Sequence, residues 1–334
     1  MQIENSGARP MHTIKKSPFK KAQGTYLNNQ LIRGGRAYST DLDVWVSYPV
    51  EYNGPDKLID MDTINAALKT DRDATLSADG AAIKAGRLTI PADSKTLLEE
   101  FPNPPTIEDE TAITIPGFAD AVKAVFYAAA TQDTRYYLNG VLLEIDDNGI
   151  VYVVATDGHR IERRELSSVN GAPAGSWIIP LSAARLIDSD DLELSETWCA
   201  AGDNLVFKQI DAKYPDWRRV VPKPTAYFSV DTKELLATLK QLVPFANAKY
   251  RGIKLTLAND TITLAAASPD RPDEVTAVLA CDSAKGKLVI GFNLDYMVDA
   301  LKQKTAPTVT RIGYTNTKGI LEINGMGAIM PMRL

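Results

Sequence analysis

Apolar and polar residues alternate in short runs along most of the chain, most clearly from Tyr137 to Ile161. Val141 to Ile145 and Ile150 to Ala155 read as two strands. Between them, Asp146-Asp147-Asn148-Gly149 is turn chemistry, because Asn-Gly tolerates the positive φ of a tight hairpin. The second run stops at a polar knot, Thr156-Asp157-Gly158-His159-Arg160. The same pattern occurs twice more. One copy is Tyr26 to Ile32, a Gly34-Gly35 turn, and a run from Ala37 to Thr40-Asp41; the other is Tyr250 to Leu257, a turn at Asn259-Asp260, and a run from Thr261 to Ser268-Pro269-Asp270. The leading tyrosines stand 111 and 113 residues apart.

Each copy continues alike, with an apolar strand, a helical stretch, a second hairpin and a closing strand. The strand-to-helix joins are Leu58-Ile59-Asp60-Met61, Ile178-Ile179-Pro180-Leu181 and Val289-Ile290-Gly291-Phe292. The helices that follow are Asp60 to Thr70 (apolar at Ile64, Ala67 and Leu68), Leu181 to Ile187 and Leu294 to Lys302. The closing strands carry Phe101-Pro102, Tyr214-Pro215 and Met330-Pro331. A threefold repeat at one spacing predicts three similar α+β domains: 25–105, 106–222 and 223–334, after a segment 1–24. Copies two and three begin with an amphipathic helix, marked by Phe118, Ala121, Val122, Val125 and Phe126 and by Leu235, Leu236, Leu239, Leu242 and Val243. Residues 1–24, with Pro10, Pro18 and Lys15, Lys16, Lys20 and Lys21, cannot supply one. They read as a solvated basic tail, or else as an arm that touches DNA phosphates.

A chain of 334 residues, 45% hydrophobic, can bury ample core, and its formal charge of −5 argues against a protein that coats nucleic acid all over. The two cysteines, Cys199 and Cys281, lie far apart in strand-like runs and read as buried thiols of a reducing compartment. With no apolar run near membrane-spanning length and no signal-peptide core, the expected location is cytoplasmic, with no membrane partner. Catalytic chemistry is sparse. The histidines are His12 and His159, and the chain has no HExxH, CxxC or phosphate-loop motif, so neither a metal nor a cofactor is expected. Asp157 and His159 could orient each other, but no serine or cysteine stands out as their nucleophile. The plainer reading is that Thr156 and Asp157 bond local backbone and end a strand. Arg135, Tyr136, Tyr137, Arg160, Arg218, Arg219 and Arg251 near the domain junctions suit a peptide-binding surface better.

Six strings in order resemble the bacterial sliding clamp, the beta subunit of DNA polymerase III. They are Arg135-Tyr-Tyr-Leu-Asn-Gly140, Ala155-Thr-Asp-Gly-His-Arg160, Tyr214-Pro-Asp-Trp-Arg-Arg-Val220, Lys249-Tyr-Arg-Gly252, Gly291-Phe-Asn293 and Met330-Pro-Met-Arg-Leu334. The likeness runs over roughly residues 25–334 and is weakest in domain one. It implies three DNA-clamp domains, each with helices on one side and antiparallel sheets on the other, the first lacking its first helix. It implies a non-catalytic, head-to-tail homodimeric ring that encircles duplex DNA without reading sequence.

By the same resemblance, a pocket between domains two and three takes short motifs of the polymerase and clamp loader. It would comprise Leu138, Thr156, Gly158, His159, Arg160, Ile161, Pro215, Arg219, Val220, Tyr250, Asn293, Tyr296, Met330, Pro331 and Met332. Arg160, Arg219 and His159 would hold the peptide's backbone or carboxamide groups. Facing DNA would be Lys69, Lys123, Gln132, Arg135, Tyr136, Lys240, Lys302 and Lys304. The dimer seam would use Lys84, Arg87, Leu88, Ile90, Phe245, Asp270, Asp273 and Glu274. The shortened first domain puts ring closure in question, so the alternative is a non-closing decoy or modulator that binds clamp-binding peptides or a host clamp.

Overall fold

A computed structural model describes residues 14–19, 26–108, 110–268, 273–283, 287–303 and 306–333. Strands β1 (Asn29–Arg33), β2 (Arg36–Thr40), β3 (Val44–Pro49) and β4 (Lys57–Asp60) lead into helix α1 (Met61–Thr70), followed by β5 (Thr75–Leu76), β6 (Ala82–Ala85) and β7 (Leu88–Pro91). The second repeat has β8 (Thr111–Thr114), α2 (Phe118–Val125), β9 (Gly140–Ile145), β10 (Val151–Thr156), β11 (Arg160–Leu166), β12 (Gly175–Pro180), α3 (Leu181–Ala184), β13 (Asp191–Leu194), β14 (Trp198–Ala201) and β15 (Leu205–Lys208). The third has β16 (Ala226–Asp231), α4 (Thr232–Leu242), β17 (Gly252–Ala258), β18 (Thr261–Ala266), β19 (Val275–Ala280), β20 (Asp282–Ser283), β21 (Leu288–Asn293), α5 (Leu294–Leu301), β22 (Val309–Tyr314), β23 (Leu321–Ile323) and β24 (Gly327–Ile329).

Each repeat contains a four-stranded set with the same hydrogen-bonded order: β4-β1-β2-β3, β12-β9-β10-β11 and β21-β17-β18-β19. Tyr26, Tyr137 and Tyr250 each stand just before the first strand of the set. The second halves also agree, as β8-β13-β14-β15 and β16-β22-β23-β24, with β5-β6-β7 as the shorter version in repeat one. The expected turns form where positive φ is needed, at Gly34, Gly35 and Gly149 and at Asn259 and Asp260. Asp60, Asp231 and Asn293 cap α1, α4 and α5 by accepting from backbone N–H groups of the first turn.

The molecule packs as two compact units, Met1–Thr114 with Asp188–Gln209, and Ile115–Ile187 with Ile210–Leu334. This differs from the three-way division in the sequence, because sheets run on across repeat borders. In the first unit β3 pairs with β15, the last strand of repeat two, setting Trp45 opposite Val206. In the second unit β11 pairs with β24, the last strand of repeat three, setting Ile161 opposite Ala328. The same joint is used twice.

Three expectations need correction. Residues 14–17 are not a solvated tail. Ile14 is buried in the core of repeat one, and its N–H donates to the Ala74 carbonyl at 3.0 Å, beside β5. The Lys15 N–H donates to the Tyr48 hydroxyl at 2.7 Å, while the Lys15 carbonyl accepts from Gln30 Nε2 at 3.3 Å. Gln30 and Tyr48 are themselves buried and bonded to each other at 2.7 Å, so this stretch of backbone joins a buried polar network. The helix expected to reach Ile187 is the single turn α3, since the chain must turn back into β13. Cys199 is buried on β14 as expected, but Cys281 is half-buried in the link between β19 and β20. Among the described residues, α1 is the first α-helix, as expected for a domain without its leading helix.

Candidate peptide-binding site

The polar knot between β10 and β11 is built from local hydrogen bonds, as its composition predicts. Thr156 Oγ1 donates to the Arg160 carbonyl at 2.6 Å and accepts from the Gly158 N–H at 3.0 Å. Asp157 Oδ1 accepts from the N–H groups of His159 (2.8 Å) and Arg160 (3.0 Å). Gly158 has φ +87°, a conformation that costs glycine least, and a Cβ there would stand 2.7 Å from Arg135 Nη1 and displace that guanidinium. The His159 carbonyl accepts from the Met330 N–H at 2.8 Å, which ties the end of repeat three to the knot. The carboxylate of Asp157 is thus occupied in shaping the turn and with Arg160, not in activating the imidazole.

Beside the knot lies a cavity of about 270 Å³. Of the residues expected there, Leu138, Thr156, Gly158, His159, Arg160, Ile161, Pro215, Val220 and Met330 line it. Its floor continues into a buried apolar cluster that includes Leu138, Ile161, Trp217 and Ala328. The other expected residues fall elsewhere. Arg219 is 83% exposed and pairs with Asp216 at 3.0 Å. Asn293 is spent as the cap of α5, and Tyr250 is exposed. Met332 is bridged through its backbone to Gly291, with its side chain over Gly252, and the intervening Pro331 is also outside the lining. Tyr296 lies behind Arg160, 4.5 Å from its guanidinium.

Asp216, Trp217, Ile320 and Ala328 line it too and were not expected, and so does Tyr137, expected on a peptide-binding surface though not within the pocket. Trp217 lay within a quoted string, and its indole is fixed by Nε1 donating to Glu144 Oε2 at 2.8 Å. Nothing in the alternation of the last hairpin marks Ile320 or Ala328. Arg135, expected both on a peptide-binding surface and facing DNA, lines the cavity, where Asp133 holds its guanidinium in two hydrogen bonds of 3.0 and 2.8 Å and its Nη2 also reaches the Asp157 carbonyl at 3.0 Å. Those hydrogen bonds hold the Asp133 carboxyl down at about 2.

Arg160 is engaged at every guanidinium nitrogen. Nε donates to Asp157 Oδ2 at 3.1 Å, Nη1 to Asp299 Oδ2 at 2.8 Å and Nη2 to the Tyr127 carbonyl at 2.7 Å. Three of its five N–H donors are thus used within the fold, leaving one on each terminal nitrogen for the carboxamide-holding role expected of it. Behind it, Tyr127 donates to Glu162 Oε2 at 2.6 Å, and Glu162 pairs with Arg164. Burial pushes the Glu162 carboxyl up despite these partners.

Of the other DNA-facing candidates, Lys69, Lys123, Gln132, Tyr136, Lys240 and Lys302 are all exposed, and Lys304 lies outside the described residues. Of the seam residues, Leu88 is 51% exposed and Ile90 half-buried on β7, with Lys84 and Arg87 exposed nearby. Among the described residues β7 is paired on one side only, to β6, and β19 only to β18. Asp273 is exposed, Phe245 packs partly against the core of repeat three, and Asp270 lies outside the described residues. Glu274 already pairs with Lys254 of its own chain at 2.7 Å.

A fold of repeated antiparallel units with an apolar cavity at a strand joint defines a clamp-type protein. Residues 112–216 match the family model "DNA polymerase III beta subunit, central domain", and residues 218–328 match "DNA polymerase III beta subunit, C-terminal domain". The beta sliding clamp of Pseudomonas putida is 31% identical over 275 residues, covering 75% of this chain and 73% of that protein. That of Escherichia coli is 28% identical over 284 residues, covering 78% and 75%. The crystal structure of the DNA polymerase III subunit beta from Pseudomonas aeruginosa superposes with a TM-score of 0.77 at 25% identity, over 92% of this chain and 93% of that one. A Pseudomonas aeruginosa sliding clamp bound to griselimycin gives 0.75 at 25%, over 95% and 94%. The chain belongs to the beta sliding clamp family of DNA polymerase III. The decoy reading finds no support among these relatives.

Proposed function

We propose that this chain works as a replication clamp. Two copies close head to tail around duplex DNA and tether a polymerase, and in turn a clamp loader, through the cavity at Ile161 and Met330. The observation that carries this reading is the repeated strand joint. β3 takes β15, β11 takes β24, and each end of the series keeps an open edge, β19 and β7. Val275, opposite Ala266 on β18, stands where Ile161 stands opposite Thr156. Thr89, opposite Lys84, stands in its hairpin where Ala328 stands opposite Glu322. A third joint of the same kind would therefore set Val275 against the partner subunit's Thr89. It would cover Leu88 and Ile90, with Lys84 and Arg87 near Asp273 and Glu274. An exposed strand edge left unpaired is a liability that such a seam removes.

The ring acts without chemistry. Tethering makes polymerase rebinding intramolecular, so processivity rises through effective concentration. Lys69, Lys123, Lys240 and Lys302 attract phosphates without reading bases, so the grip is loose, salt-sensitive and compatible with sliding. The work belongs in the cytoplasm, and the functional division is that of the repeats, 25–105, 106–222 and 223–334. Light scattering after size exclusion tests the ring: the expected mass is twice 36.4 kDa, and Leu88→Asp is expected to yield the monomer. A wild-type monomer at micromolar concentration, or no gain in processivity on primed circular DNA with a loader, overturns the proposal.

A further inference from the structure

The cavity wall holds two arginines, and each is already ion-paired within the chain. Arg135 is matched by Asp133. Arg160 is matched twice, by Asp157 from its own loop and by Asp299 from α5, and its side chain is only 12% exposed. Its guanidinium also lies between two rings, 4.5 Å from the Tyr296 centroid and 5.3 Å from that of Tyr127. Asp299 and Tyr296 are three residues apart on α5, so one helix face supplies both the anion and the aromatic surface. Tyr127 is fixed in turn by its bond to Glu162. The same wall carries the apolar side chains Ile161, Val220 and Met330.

We infer that Asp299, which does not line the cavity, is a positioning residue that determines specificity. By holding Nη1 of Arg160 toward α5, it keeps the guanidinium out of the cavity, so the site selects an apolar segment and rejects an acidic one. This deepens the reading of the cavity as a peptide site and rests on it. Without the Asp299 carboxylate, one edge of Arg160 loses its partner in a partly desolvated place. The nearest remedy is to rotate toward the cavity, where the cation fills apolar space and attracts a carboxylate.

The test uses the full chain and two peptides, one with adjacent leucines and one with a single leucine of that pair replaced by glutamate. Calorimetry is run on wild type, Asp299→Asn, Asp299→Glu, Arg160→Met and the Asp299→Asn/Arg160→Met double variant, with Tm recorded for each. Asp299→Asn is expected to weaken the leucine peptide by roughly two- to 150-fold, the span typical of coupled neighbours, and to narrow or reverse the preference over the glutamate peptide. Asp299→Glu is expected to restore the preference, and in the Arg160→Met background Asp299→Asn is expected to have no further effect. An equal loss for both peptides that persists without Arg160 would mark Asp299 as a fold element only and overturn the inference. Unchanged binding by Asp299→Asn would overturn it as well, while leaving the peptide site standing. Wild type that binds neither peptide would remove the peptide site, and this inference with it.

Discussion

Trp45 stands edge-on to Phe101, with ring centroids 6.1 Å apart and planes at 86°. In the first joint it holds the register position that Ile161 holds in the second, and Phe101 precedes Pro102 as Tyr214 precedes Pro215. The knots also match. Thr40 Oγ1 donates to the Val44 carbonyl at 2.9 Å, Val44 N–H donates to Asp41 Oδ1 at 2.8 Å, and Leu42 adopts φ +86° where Gly158 has +87°. The first joint is thus a counterpart of the peptide site with an indole filling its apolar centre among Leu31, Leu58 and Phe101. Trp45→Ala is expected to cost about 3–5 kcal/mol, seen as a lower urea midpoint. It is also expected to leave a cavity against Leu58 and Phe101 in a crystal structure of the variant.

Met330 and Met332 separate function from support. Met330 lines the cavity and is 46% exposed, free to be covered by a ligand. Burying such a side chain is worth about 1.5–3 kcal/mol, so Met330→Ala is expected to weaken a bound peptide by a corresponding factor while Tm stays unchanged. Met332→Ala is expected to weaken it less. Calorimetry showing equal losses, or none for the double variant, would refute the assignment.

Ile14 holds the start of the chain to repeat one. Its side chain is 1% exposed within the core that contains Ile59, Ile64 and Ile83. Ile14→Ala is expected to destabilise by about 2–5 kcal/mol, with amide exchange in β5 and β6 rising first because the segment that covers them is anchored less firmly. Exchange unchanged in those strands would show that the segment is dispensable.

The pH response of Asp133 is fixed by Arg135. Its folded pKa of about 2 lies below the ordinary aspartate value, because Arg135 hydrogen-bonds the carboxylate. The ion pair's contribution is therefore complete above the ordinary carboxylate value and is lost only as pH falls through the folded one. An NMR titration of the Asp133 carboxyl is expected to show a midpoint near 2, rising to the ordinary range in Arg135→Ala.

The thiols should differ in reactivity. Burial pushes Cys199 up to about 11 and leaves it 0% exposed. Cys281 is half-buried, with burial and the charges of Asp260 and Asp282 raising it less far. Since the thiolate is the nucleophile, a disulfide reagent at mildly alkaline pH is expected to label Cys281 first and Cys199 only on unfolding.

Periodicity in the sequence determined the three copies, their hairpins and their strand-to-helix joins, because turn chemistry and alternation are local properties that leave a local record. It also determined that the Thr156–Arg160 knot is structural, since short polar side chains answer the nearest backbone. Only the tertiary structure decided which strand edges meet across repeat borders, because pairing between β3 and β15 or β11 and β24 joins residues more than 150 positions apart. The same distance in sequence hid Asp299 behind Arg160 and put Ile320 and Ala328 in the cavity. Distance in sequence also concealed why Ile14, just ahead of the lysines, is buried beside β5. Each of these depends on which partner a side chain finds when it leaves water, and that partner is chosen by the folded chain as a whole.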